Sequence, residues 1–89
     1  MTYHLDFTAQ ANKDIDFLKK SGNKILLKKL LTLLNELTLH PYTGSGKPEQ
    51  LKYDLSGYWS RRINQEHRLI YEVLEDSVAI LSAIGHYQS

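Results

Sequence analysis

Tyr58-Trp59-Ser60-Arg61-Arg62-Ile63, then Asn64-Gln65-Glu66, then His67-Arg68-Leu69-Ile70-Tyr71-Glu72-Val73-Leu74, is the stretch whose reading decides the fold. Aromatic and β-branched residues dominate both flanks, and a short polar break joins them. That pattern predicts a β-hairpin with strands at about 58–64 and 67–74. Side chains alternate across a strand, so Trp59, Arg61 and Ile63 share one face while Tyr58, Ser60 and Arg62 share the other. In the second strand Leu69, Tyr71 and Val73 read as core positions, which sends Arg68, Ile70 and Glu72 outward. Arg62 and Arg68 therefore project from one surface, unless a bulge flips one of them. Arg61 has core parity and is expected to cap the edge of the packed side.

Working outward, Glu75-Asp76 is a second turn and residues 77–84 a further strand, while residues 49–53 read as a strand before the hairpin. The segment from Pro41 to Pro48 is a loop rich in turn residues. Upstream, Leu26/Leu27, Leu30, Leu33/Leu34 and Leu37 recur at helical spacing and predict a helix over 24–39, with Lys24, Lys28 and Lys29 outside. His40-Pro41 ends it. Thr8 is placed to cap an earlier helix over about 9–20, with Ala11, Ile15 and Leu18 on one face. Residues 2–7 alternate as a half-buried strand. One strand, two helices and then a meander of about four strands make an α+β domain with the helices on one face of a mostly antiparallel sheet. At 89 residues the chain is a single domain, residues 1–89.

The composition narrows the function classes. There is no cysteine, so a disulfide scaffold and a zinc–thiolate site are excluded. No apolar run reaches membrane-spanning length, and the N-terminus lacks the basic-then-apolar build of a signal peptide. A cytoplasmic protein without membrane attachment is expected. The net charge of +1 is too small to argue for nucleic-acid binding, but its distribution is not even. All three arginines, Arg61, Arg62 and Arg68, fall in the hairpin, and clustered arginines on strands mark a binding surface.

Guanidinium groups suit phosphate because their planar fork of donors stays charged. Cleaving RNA with its own 2′-hydroxyl requires a base, cationic donors for the transition state and an acid for the leaving oxygen. Glu49, stiffened by Pro48 and lying between Lys47 and Lys52, is a candidate base, although a solvated loop carboxylate is the commoner meaning of such a residue. His86 is a candidate acid, since imidazole titrates near neutrality, and Tyr87 could stack on an unpaired base. Arg62 and Arg68 could equally pair with Glu66 or Glu72. His4, His40 and His67 show no metal-ligand spacing and are assigned no chemistry. From the residues alone, the reading stops at a basic, partly aromatic sheet surface with an acid/base pair.

Three stretches add a resemblance: Gly46-Lys47-Pro48-Glu49-Gln50-Leu51-Lys52, the run from Leu55 to Ile63, and the run from Glu66 to Val73, with Gly85-His86-Tyr87 near the end. Together they resemble the Txe/YoeB family of RelE-like mRNA interferase toxins from type II toxin–antitoxin pairs. The resemblance implies a RelE-like fold and a translation-inhibiting endoribonuclease. Such an enzyme cuts mRNA in the A site of the 70S ribosome by 2′-hydroxyl attack, leaving a 2′,3′-cyclic phosphate and a 5′-hydroxyl, with no metal or other cofactor. It further implies Glu49 as general base, His86 as general acid, Arg68 as the stabiliser of the phosphate and transition state, and Tyr87 as the aromatic that orients substrate. Lys47, Lys52 and Arg62 match basic positions that contact RNA. A cognate antitoxin of the YefM/Phd type is implied as partner, and a homodimer is left open. The chain departs from the family pattern at Ile84-Gly85, where members often carry a basic and an aromatic residue, and in continuing to Gln88-Ser89. A non-cleaving ribosome or RNA binder, or a protein-interaction module, are the competing readings.

Overall fold

Thr8 turns the chain from its first strand into its first helix, as its position predicts. Its Oγ1 accepts the Ala11 N–H at 3.0 Å, which satisfies one of the free amides of the opening turn. The computed structural model describes residues 2–85. Strand β1 is His4–Phe7, helix α1 Ala9–Lys20, helix α2 Lys24–Leu37, strand β2 Glu49–Gln50, strand β3 Tyr58–Arg62, strand β4 Arg68–Val73 and strand β5 Ser77–Ser82. The strands form one five-stranded sheet in the order β1-β5-β4-β3-β2. The last four are the expected antiparallel meander, and β1 joins its far edge parallel to β5, with His4 opposite Ser77.

Both helices cover one face of this sheet. Ala11 and Leu18 of α1 and Leu26, Leu30, Leu33 and Leu37 of α2 pack with Leu69, Tyr71, Val78 and Ile80 in a single core. Each leucine buried there contributes about 1.5–3 kcal/mol of apolar transfer free energy. The expected α1 face holds for Ala11 and Leu18, while Ile15 is only half-buried and Asp14 is buried. Helix α2 stops at Leu37 rather than 39, because the amides of Leu39 and His40 both turn back onto the Glu36 carbonyl and tighten the last turn.

All five strands are shorter than expected, and β2 and β5 also depart from the expected course. Strand β2 ends at Gln50, and Tyr53–Leu55 form a 3₁₀ turn instead of more strand. The reason is the partner: the Leu51 N–H reaches the carbonyl of Tyr58, the first residue of β3, so beyond it no carbonyl remains to pair with. In β5 the register slips between Ile80, opposite Tyr71, and Ser82, opposite Ile70. Leu81 is therefore an extra residue, a bulge that swaps the faces of everything after it. Ala83 becomes wholly buried, where an unbroken strand would turn it outward.

Arg61 is not at the edge of the packed side but inside it, with no exposed surface. Every arm of its guanidinium is engaged. Nε donates to the Tyr71 hydroxyl (3.2 Å), Nη1 to Glu36 Oε1 (3.0 Å) and the Ser45 carbonyl (3.4 Å), and Nη2 to the carbonyls of His40 and Thr43. Ser45 answers by donating its amide and hydroxyl to the two oxygens of Glu36, and Tyr71 donates to the Pro41 carbonyl. The loop between α2 and β2 is thus wrapped around one buried cation. Gly44, at φ +123°, has no room for a side chain, because a Cβ would collide with Glu36 Oε1.

Removing Arg61 strips its donors from the loop carbonyls of His40, Thr43 and Ser45, from the Tyr71 hydroxyl and from the partly buried Glu36 carboxylate. Arg61→Leu should lower unfolding free energy by about 3 kcal/mol or more; a urea-denaturation loss below about 1 kcal/mol would show that the loop is held by something else. The Ser45 hydroxyl and amide, with Arg61 adding to them, hold the Glu36 carboxyl below its ordinary value of 4.5 against the opposing effect of burial. A folded value below the unfolded one means stability present above that ordinary value and lost as pH falls through the depressed one. Acidification should therefore lower the urea midpoint of the wild type more than that of Glu36→Gln, and parallel pH curves for the two would contradict this.

Candidate active site

Arg62 and Arg68 lie directly opposite each other across the β3–β4 ladder, Ser60 opposite Ile70, and Glu49 of β2 opposite Ser60. Paired residues share a face, so Glu49, Ser60, Arg62 and Arg68 all stand on the side of the sheet away from the helices. The bulge that could have flipped an arginine fell in β5, and the outward parity of Arg62 and Arg68 survives. Like charges facing one another across a ladder repel. Arg68 leans away, donating from Nη1 to Ser60 Oγ at 3.3 Å and approaching Glu49 Oε2 at 3.9 Å. Its partner is thus Glu49, not Glu66 or Glu72.

The chain before Glu49 is held against β3. The Gly46 carbonyl accepts the Arg62 N–H at 2.7 Å, and a Cβ on Gly46 would come within 2.8 Å of the Arg62 carbonyl. Lys47 follows in the left-handed region at φ +52°, a conformation costing a non-glycine residue about 1 kcal/mol. Pro48 then delivers Glu49 into β2. Lys47, Lys52 and Arg62 are exposed, and none of them forms an ion pair among the described residues. Lys47 and Arg62 line one cleft together with Gly46, Asn64 and Lys29 of α2. Lys29 is a cation that helical periodicity assigned simply to the outer side of its helix. Lys52 lies just past β2, at the entry to the 3₁₀ turn.

His86 and Tyr87 lie outside the described residues. The last described position, Gly85, sits beside the base of this site: its carbonyl accepts the Arg68 N–H at 3.0 Å, and its own N–H donates to His67 Nδ1 at 3.0 Å. Glu49, Arg62 and Arg68 are therefore brought together, with Lys47 on the adjoining loop. The Glu49 side chain is 60% exposed and that of Arg68 20%. An accessible carboxylate can accept a proton from a bound hydroxyl, while the guanidinium at its side offers donors to a phosphoryl oxygen. Two facing arginines with one carboxylate between strands leave the surface short of negative charge, which an anionic ligand would supply.

The model of the YoeB-like toxin of bacterial type II toxin–antitoxin systems matches residues 7–87. The chain belongs to this family. Over 69 residues it is 48% identical to Toxin YoeB of Synechocystis, covering 78% of this chain and 80% of that relative. Among solved structures, the YoeB dimer from Staphylococcus aureus superposes with a TM-score of 0.85 at 39% identity, covering 98% of this chain and all of that one. The YoeB chain of a YoeB–YefM complex from the same organism gives 0.82 at 40% identity, with the same coverage of both chains. The residues matched to the YoeB-like model include every candidate site position, from Lys47 to Tyr87. No described helix is long and apolar enough to cross a membrane.

A site kept for chemistry should be separable from stability. Glu49→Gln removes a solvent-exposed carboxylate whose ion pair is long, so its unfolding free energy should stay within about 0.5 kcal/mol of wild type. A loss above about 2 kcal/mol in urea denaturation would make Glu49 a structural residue instead.

Proposed function

We propose that this YoeB-family toxin is a ribosome-dependent endoribonuclease that cuts mRNA in the ribosomal A site. The observation that carries the reading is the Glu49–Arg68 pair, a carboxylate and a guanidinium 3.9 Å apart on an open sheet face, with Arg62 opposite Arg68. Glu49 takes the proton of the 2′-hydroxyl, and the freed oxygen attacks the adjacent phosphorus. Arg68 donates to the phosphoryl oxygens as their charge builds. His86 protonates the departing 5′-oxygen as the P–O bond breaks, so one strand ends in a 2′,3′-cyclic phosphate and the other begins with a 5′-hydroxyl. Tyr87 orients the substrate, and Lys47, Lys52 and Arg62 hold the RNA backbone by charge. The reaction passes one proton from the substrate to Glu49 and one from His86 to the leaving oxygen, and needs no metal.

By analogy with the Staphylococcus aureus relatives, solved as a dimer and in complex with YefM, the partner that silences this chain is a YefM/Phd-type antitoxin, and a homodimer is a second assembly open to it. Activity on ribosomes places the protein in the cytoplasm.

Mapping message 5′ ends in a reconstituted translation reaction should reveal new ends at the A-site codon when the protein is added. His86→Gln should slow single-turnover cleavage by roughly a hundredfold, the usual worth of general acid catalysis. Stalled but intact messages would favour a non-cleaving occupant of the ribosome, and a fully active His86→Gln would remove the assigned acid.

A further inference from the structure

Asp14 and His67 are two polar residues that the reaction above does not use, and both end on the same short segment. Asp14, 6% exposed on α1, accepts the Ala83 N–H through Oδ2 at 2.9 Å, while its Oδ1 accepts from the Gln10 amide at 2.7 Å. His67, half-buried just before β4, accepts the Gly85 N–H through Nδ1. A buried carboxylate is expensive unless bonded, and the interior of a helix facing a core would ordinarily hold an apolar side chain. The segment they hold explains them. After the Leu81 bulge β5 departs from its regular ladder, and the amides of Ala83 and Gly85 find their acceptors in side chains. Thr8 Oγ1 donates to the Leu81 carbonyl at 3.0 Å on the same side of the bulge as α1. With the Arg68 N–H on the Gly85 carbonyl, the three residues before His86 are pinned from α1, from His67 and from the backbone of Arg68 itself.

We propose that Asp14 and His67 are positioning residues, which fix residues 83–85, the last before His86, against α1 and the backbone of Arg68. The proposal rests on the nuclease reading, in which His86 and Tyr87 carry chemistry. His67 can accept at Nδ1 only as neutral imidazole with its proton on Nε2, the nitrogen nearer Glu66 Oε2 at 3.9 Å. Misplacing an acid by about 1 Å slows the chemical step by up to roughly a hundredfold without weakening substrate binding.

The test compares single-turnover cleavage of ribosome-bound mRNA by wild type, His86→Gln, His67→Leu, His67→Asn, Asp14→Ala and Asp14→Asn. His67→Leu should lower the saturated rate by roughly ten- to a hundredfold with the half-saturating concentration unchanged. His67→Asn, whose side-chain oxygen can accept near the place of Nδ1, should recover most of that rate. Asp14→Asn keeps an oxygen for Ala83 and should stay near wild type, and Asp14→Ala should fall as His67→Leu does. If Asp14→Ala fails to fold, the His67 pair decides alone. Equal rates for His67→Leu and His67→Asn, or a change only in half-saturation, overturn the positioning role. A wild type that cleaves and a dead His86→Gln beside a fully active His67→Leu would remove this proposal while leaving the nuclease reading intact. A wild type that does not cleave removes both.

Discussion

One buried cation organises the half of this molecule that carries the candidate site. Arg61 carries five N–H donors into a region without solvent, and each guanidinium nitrogen finds an acceptor. Taking such a charge out of water is costly, and a leucine at its place would avoid that cost. What a leucine could not do is gather the carbonyls of His40, Thr43 and Ser45 around a single point. The loop between α2 and β2 has few apolar side chains of its own, and its shape comes from those bonds, from the Ser45–Glu36 contacts and from the Tyr71 hydroxyl on Pro41. Its end is delivered to Gly46, where the Arg62 amide takes over. Arg61 and Arg62 are neighbours with opposite tasks: one points inward and holds the loop, the other points outward over the surface that the loop completes.

A second device acts at the other edge of the site. The Leu81 bulge breaks the alternation of β5, and α1 repairs the consequences through Thr8 and Asp14. The two helices therefore do more than cover the core. Helix α2 supplies Glu36 to the loop that carries Glu49, and α1 supplies the acceptor for the strand end that leads to His86. The loop before Glu49 and the strand end at Gly85 are thus both tied to the packed side, while the Glu49 side chain stays 60% exposed. An exposed face of this kind suits the polymeric substrate proposed for it, since a closed pocket would exclude the chain on either side of a scissile bond.

Local features explain why much of this was readable in advance. The leucine spacing of α2, the Thr8 cap, the hairpin and the alternation of Arg62 and Arg68 each depend on residues near one another in sequence. The errors share a cause as well. Residues 51–53 look like strand, yet the β3 partner that would have made them one begins only at Tyr58. Arg61 had the right parity for the packed side, but nothing local shows that a carboxylate from position 36 and three loop carbonyls would surround it. Asp14 on an apolar helical face and His67 at the head of the expected strand 67–74 carry no functional signal in the sequence, because their acceptor roles exist only once Ala83 and Gly85 arrive beside them.

By itself, then, the order of residues determined the helices, the hairpin, the outward arginines and the membership of a toxin family, since periodicity, caps and motif spacing are properties of contiguous chain. The tertiary structure alone decided the place of β1 beside β5, the burial of Arg61, the swap of faces at Leu81 and the pairing of Glu49 with Arg68. Each of these depends on which distant backbone groups meet, and a hydrogen bond or ion pair takes its partner from geometry that only the assembled sheet and helices provide.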